Sequence, residues 1–312
     1  MKGLDLSRQF YNTYGIPLLE NFSEAAPYIA VGLCGSGSEC FGYDDDLSAD
    51  HDFEPGFCLF LPDEDLVDSR TAFQLERAYA KLPRDFMGFH RPTLSPVGGN
   101  RHGVIRLRDF LLDKTGTPNG QLSLSQWFSV PEQSLAEATN GVLFRDDAGI
   151  FTAIRKQLAY LPEDVRLKKL AGHLLLMGQA GQYNYHRCVA RGETAAAQLA
   201  VGEFAKSALH CVFLLNRTYL PYYKWQFPAL RVLPCLAELY TPLEYLLTTP
   251  NTPKEALEKE ALIDKICETV ANELRRQGLS ERADNETERH AYEINEHILD
   301  NALRNLHVLW GV

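Results

Sequence analysis

"GSGSECFGYDDDLSADHDF", Gly35 to Phe53, is the stretch on which the reading of this chain turns. Two Gly-Ser pairs stand before a run of aspartates that closes on Asp50-His51-Asp52. Just upstream, "YIAVGLCG" (28–35) is apolar, rich in β-formers and ended by Gly, the pattern of a buried strand. Just downstream, "DHDFEPGFCLFLP" (50–62) predicts a second strand closed by Pro62. Glycines after a strand let backbone N–H groups approach and hold phosphate oxygens, and a Ser hydroxyl adds a contact. In an extended segment Asp50 and Asp52 point to one side and His51 to the other. Two carboxylates that close together repel unless a cation lies between them. Mg²⁺ suits that place, because it takes oxygen ligands and keeps phosphates as partners.

The ordered set of strand, Gly-Ser, a second Gly four residues on, a spacer, Asp-x-Asp and an apolar strand resembles the nucleotidyltransferase superfamily typified by DNA polymerase beta. The resemblance places Gly37, Ser38 and Gly42 on the nucleotide-binding turn and Asp50 and Asp52 on the paired catalytic metal ligands. Gly35-Ser36 offers another register but leaves Gly42 unexplained. Together with "NGVLFRDDAGIFTAIRKQLAYLPEDV", "YNYHRCVARGE" and "FLLNRTYLPYYKW", the stretch is similar to an uncharacterised bacterial family of nucleotidyltransferase-like proteins with a helical C-terminal domain. That likeness covers roughly residues 15–250. It implies an enzyme that moves a nucleoside monophosphate from a nucleoside triphosphate, ATP first, to a hydroxyl acceptor, with two Mg²⁺ ions. The acceptor stays open between a small molecule and a macromolecule.

The superfamily adds a third carboxylate from a neighbouring strand. The matching segment, "HGVIRLRDFLL" (102–112), offers Arg106 and Arg108 and then Asp109, the candidate for the third catalytic acid. Asp146 and Asp147 read as a turn, and Glu203 on a helix is another possible base. Without a third acid the chain would be a degenerate nucleotide-binding or regulatory module. Lys224, among Tyr219, Tyr222, Tyr223 and Trp225, is a candidate triphosphate ligand, or an exposed lysine on a packed corner. Arg187 and Arg191 are phosphate clamps or helix-end ion pairs. Arg166 and His173 have the Arg-x6-His spacing of some helical ribonuclease domains, a spacing that a helix brings to one face in any case. Asp44-Asp45-Asp46 reads as a solvated turn.

The rest of the chain bounds these readings. A formal charge of -10 over 312 residues disfavours DNA as a partner, since sequence-independent binding needs clustered Lys and Arg. The seven cysteines form no CxxC pair and mostly sit in apolar runs, as small core residues rather than zinc ligands. The first residues lack a signal-peptide core, and no run approaches the roughly 20 uninterrupted apolar residues of a membrane span. A cytoplasmic chain with no membrane partner is expected.

Residues 71–82 and 252–278 read as helices, the latter opened by a Thr252–Glu255 capping box and ended by Gly278. Residues 163–190 and 194–217 predict two long helices, the second packed through Leu199, Phe204, Val212 and Phe213. One last helix is expected to carry Ile294, Ile298, Ala302, Leu306 and Leu309. Composition shifts from mixed to helical near residue 150. The expectation is α+β: a small mixed-sheet nucleotidyltransferase domain over 1–150, then an all-helical bundle over 151–312.

Overall fold

A computed structural model describes residues 1–45, 54–91 and 102–312. The chain is α+β, with a small mixed sheet and many helices, and forms two compact units. The first holds residues 1–126 and 130–159, the second 127–129 and 160–312. The compositional shift near residue 150 thus precedes the break, because the helix Ile150–Gln157 packs with the sheet unit.

Among the described residues the strands are β1 (Ala30–Leu33), β2 (Cys58–Leu61), β3 (Asp85–Phe86), β4 (Phe89–His90), β5 (Gly103–Arg106) and β6 (Val142–Arg145). Four of them make one sheet in the order β5-β2-β1-β6, while β3 and β4 form a separate hairpin. Strand β1 is antiparallel to both β2 and β6, and β2 is parallel to β5. The second strand is shorter than 50–62, since residues 54–57 are not in it and 50–53 lie outside the described residues.

Alternation along β2 buries both sides of the sheet. Phe57, Leu59 and Leu61 join Phe10, Tyr11, Val31, Leu75 and Tyr79 in one core. Phe60 points the other way, 5.2 Å from the Phe110 ring and 4.8 Å from that of Phe151. The helix Ser69–Ala80 starts two residues earlier than its periodicity predicts, because the Asp68 carboxylate accepts from Thr71 N at 2.7 Å. Within that core the Tyr79 hydroxyl accepts from Phe57 N (3.0 Å) and donates to Phe57 O (2.8 Å), fixing the backbone that enters β2. The expected solvated turn at 44–46 is corrected at Asp44. Its buried carboxylate accepts from Gly3 N at 2.8 Å and faces Lys2 Nζ at 3.3 Å, so it anchors the N-terminal helix Gly3–Phe10.

The second unit is helical. Glu163–Met177, a π-helical stretch Gly178–Tyr185 and His186–Ala190 run on as one rod, and Thr194–Leu215 returns against it. At Gly181 a Cβ would lie 2.4 Å from the Phe204 ring, so the close approach of the two helices needs glycine there. Thr194–Leu215 is long and apolar enough to cross a membrane by composition, and most of it is buried inside the protein. Leu199 on that helix is an exception, being exposed rather than packed.

Two terminal features differ from expectation. The helix Pro253–Arg276 forms without a Thr252 side-chain cap, so Pro253 at its first position and the packed face hold its start. The last helix is two short ones, Thr287–Glu296 and Asn301–Asn305, the second capped by the Asp300 carboxylate on Leu303 N. Ile294, Ile298 and Leu303 are buried, whereas Ala302 and Leu306 face solvent.

Candidate functional site

The sheet topology defines one end at which four chain segments meet. Gly32 is opposite Cys58, Cys58 is opposite Gly103, and Leu33 is opposite Val142. The end of β1 and the starts of β2, β5 and β6 therefore share an edge. From it the loop 34–37 enters the short helix Ser38–Phe41, with Gly37 at its N-cap and Gly42 (φ 74°) at its C-cap. Gly37, Ser38 and Gly42 thus belong to a single loop-helix-turn. Asp50 and Asp52 lie outside the described residues, and β2 begins six residues after Asp52.

Asn140 holds this loop. Its Oδ1 accepts from Gly35 N at 2.9 Å and its Nδ2 donates to Gly35 O at 2.7 Å. Next to it, Gly141 N donates to Cys40 O at 2.9 Å. The Arg155 guanidinium in turn donates to the carbonyls of Thr139 and Asn140. The Asn140 and Gly141 contacts are not signalled by sequence beyond the Asn-Gly turn dipeptide, because they reach residues more than a hundred positions away, and Arg155 braces them from 15 and 16 residues downstream. On the β2–β5 side of the same edge, His102 Nδ1 lies 3.0 Å from Glu54 Oε1, and both are largely buried.

Charge at the loop is mixed. Burial pushes the Cys34 thiol up to about 12, and the nearby Arg155 and Lys114 cations partly offset that. Burial likewise lowers the Arg155 pKa. Against these cations stands Glu39, a buried carboxylate that adds to burial in raising both the Cys40 and Cys58 thiols. A Cβ on Gly37 would sit 2.1 Å from Glu39 Oε1, so this carboxylate covers Gly37. At Gly35 a Cβ would meet nothing within 4 Å, and Ser36 is exposed.

The third-acid candidate does not reach this edge. Asp109 follows the C-terminal end of β5, in the first turn of the helix Leu107–Thr115, and its exposed side chain is 4.0 Å from Arg108 Nε. Because β5 starts at the loop edge, Asp109 lies at the opposite end of the sheet. Arg106 is structural, donating to Pro62 O (2.9 Å) and Val67 O (2.7 Å). Asp146 and Asp147 follow β6 at the same far end, where one accepts from Thr152 N and the other pairs with Arg145.

The second-unit candidates are each engaged locally. Lys224 is exposed, with Nζ 4.9 Å from the Trp225 ring centroid. Tyr222 and Tyr223 are exposed beside it, while Tyr219 is core, 5.3 Å from Tyr160. The Arg187 guanidinium lies over the Tyr183 ring at 4.2 Å. Glu203 is exposed. Arg166 is 1 % exposed and donates to Glu163 (2.6 and 3.0 Å) and Leu214 O, which leaves it closed to a phosphate chain.

Residues 127–226 match the model of a family described as a domain of unknown function (DUF4037). The matched segment is less than half of the chain; it takes in Asn140, Arg155, Arg187 and Lys224 and leaves out Gly35–Phe53. No curated protein and no solved structure matches the chain.

Proposed function

We propose that the first unit binds a nucleoside triphosphate, ATP first, and transfers its nucleotidyl group to a hydroxyl acceptor with the help of Mg²⁺. The observation that carries this reading is the position of the Gly-rich loop. It leaves β1 at the edge where β2 begins, and in sequence Asp50 and Asp52 precede β2 by eight and six residues. Backbone N–H groups of such a turn suit phosphate oxygens. The arrangement of β1 antiparallel to β2, and β2 parallel to β5, accommodates the motif order that the sequence resemblance implies. The motif order and the sequence resemblance assign Mg²⁺ to Asp50 and Asp52, which lie outside the described residues. Bound there, Mg²⁺ would neutralise phosphate charge as the acceptor oxygen bonds to the α-phosphorus and pyrophosphate departs. The acceptor's proton passes to a base that the described residues do not identify.

A second reading, a nucleotide-binding module without turnover, is favoured by two observations. Glu39 brings a negative charge over Gly37, and Asp109 lies at the far end of the sheet. Calorimetric titration with a non-hydrolysable ATP analogue tests both readings. Binding by the wild type that requires Mg²⁺ and is lost in Asp52→Asn supports the site, and product formed with any hydroxyl acceptor supports transfer. Binding with no turnover against a broad acceptor panel supports the second reading. Silence of the wild type towards every nucleotide overturns both.

A further inference from the structure

One buried cation in the second unit is held by neutral groups alone. Lys259, on the helix Pro253–Arg276, is 0 % exposed. Its Nζ donates to Gln198 Oε1 at 3.1 Å, to Asn251 Oδ1 at 3.0 Å and to Thr249 O. The next layer is neutral as well. The Tyr185 hydroxyl, at the end of the π-helical stretch, donates to Asn251 Oδ1 at 2.9 Å. Asn251 Nδ2 donates to Gln198 Oε1 at 3.0 Å and to Thr194 O at 3.3 Å. Among the described residues Lys259 forms no ion pair, not even with Glu255 one turn back on the same helix. Buried charges are as a rule paired, because hydrogen bonds to neutral oxygens do not cancel their field.

A cavity of about 500 Å³ adjoins this network, within the size range of small-molecule sites. Gln198, Thr249 and Asn251, which hold the ammonium, line it, and Ala195, Leu247 and Pro250 give it an apolar wall. The network fixes what the cavity is offered. An ammonium has only protons to give, so both amide oxygens turn towards Lys259 and Gln198 Nε2 is left for the cavity. Ala195 is the second residue of the helix Thr194–Leu215, where a backbone N–H has no partner within the helix. The cavity thus has two donors, the positive end of a long helix and a buried ammonium behind its lining, and no carboxylate among the described residues that line it.

We propose that this cavity binds a small carboxylate with an apolar tail. A monovalent anion matches the single charge of Lys259, and the two oxygens of a carboxylate match the two donors, Gln198 Nε2 and Ala195 N–H. The tail lies against Ala195, Leu247 and Pro250. Leu247 is 38 % exposed, apolar surface that such a tail covers. A phosphate dianion brings more charge than one ammonium meets. The site lies wholly in the second unit and stands whether or not the Gly-rich loop of the first unit holds a nucleotide.

The test is titration of the full chain with hexanoate, hexanamide, acetate and inorganic phosphate, followed by amide NMR and calorimetry. Hexanoate is expected to bind saturably and to shift the Gln198 side-chain amide and the Ala195 backbone amide. Hexanamide, the same tail without the charge, should bind about tenfold more weakly. Acetate, which lacks the tail, should also be weaker by about tenfold. Gln198→Glu keeps an oxygen for Lys259 and Asn251 and sets a carboxylate beside the ammonium. Its thermal midpoint should be no lower than that of the wild type, while its hexanoate affinity falls about tenfold. Leu247→Ser, at an exposed position that spares the fold, should bring hexanoate down towards acetate. The absence of a saturable shift in the wild type overturns the proposal. So does hexanamide binding as tightly as hexanoate, an unchanged hexanoate affinity in Gln198→Glu, or phosphate binding more tightly than hexanoate.

Discussion

Gly141 shows how much of the candidate site depends on single residues outside the motif. Its φ is 62°, and a Cβ there would lie 2.0 Å from the Leu33 carbonyl oxygen. Gly141→Ala thus combines a disfavoured backbone with a clash against backbone that cannot step aside. The expected loss is about 2–4 kcal/mol in urea unfolding. Gly42 has a similar φ of 74° but open space around it, so Gly42→Ala should cost about 1 kcal/mol. Equal losses for the two would show that the packing against Leu33 is not the cause. Asn140→Ala removes both bonds to Gly35 and leaves that buried backbone without its partner. A cost of about 1–3 kcal/mol is expected, with faster amide exchange at Gly35 as the specific readout. That Gly37 and Gly42 bracket a turn after β1 was legible from the order of the residues. Asn140 was not, because its contact with Gly35 depends on the fold bringing together residues 105 apart, and nothing in the local pattern marked Arg155 as a carbonyl brace or Glu39 as a buried cover over Gly37.

At the scale of elements, the stack of His173 of Glu163–Met177 on His210 of Thr194–Leu215, 4.0 Å between ring centroids, gives the helical hairpin a pH dependence with a definite sign. Both rings titrate lower in the folded protein than the ordinary value of 6.5. Between that value and the folded ones, the unfolded chain binds protons that the folded chain does not, so stability falls as pH is lowered from about 6.5. Each ring contributes of order 1 kcal/mol per pH unit. Between about pH 6 and 5, ordinary carboxylates still hold their charge and contribute little. Replacing His210 by Phe should therefore flatten the fall in denaturant midpoint over that interval. An unchanged slope would mean that the rings take up protons in the folded state. Element existence was readable from periodicity, as in Ser69–Ala80 and Pro253–Arg276, but element ends followed local chemistry. Asp68 moved one start, and Asp300 opened a new helix where a continuous apolar stripe predicted an unbroken one. Strand β2 was legible through its unbroken apolar run, whereas its parallel pairing with β5 was not, since pairing depends on long-range contacts.

For the whole molecule, the chain does not pass from one unit to the other just once. Trp127–Ser129 belongs to the helical unit, although residues on both sides belong to the sheet unit. Within the helical unit the Phe128 ring meets Trp310 edge-on at 4.6 Å between centroids, and a Cβ on Gly311 would lie 2.2 Å from Phe128. A shift in composition can mark a change of architecture but cannot reveal three residues lent across it. This excursion makes a clean prediction, because the chain has three tryptophans and residues 1–159 contain only Trp127. In the full chain Trp127 is buried. A fragment of residues 1–159 lacks the rest of the helical unit, so its single tryptophan should lose its packing and become accessible to water. Its fluorescence should be red-shifted and strongly quenched by acrylamide, with Trp127→Ser improving the solubility of the fragment by removing an exposed apolar ring. Emission that stays blue-shifted and protected would place Trp127 in the core of the sheet unit, and the excursion would then rest on Phe128 alone.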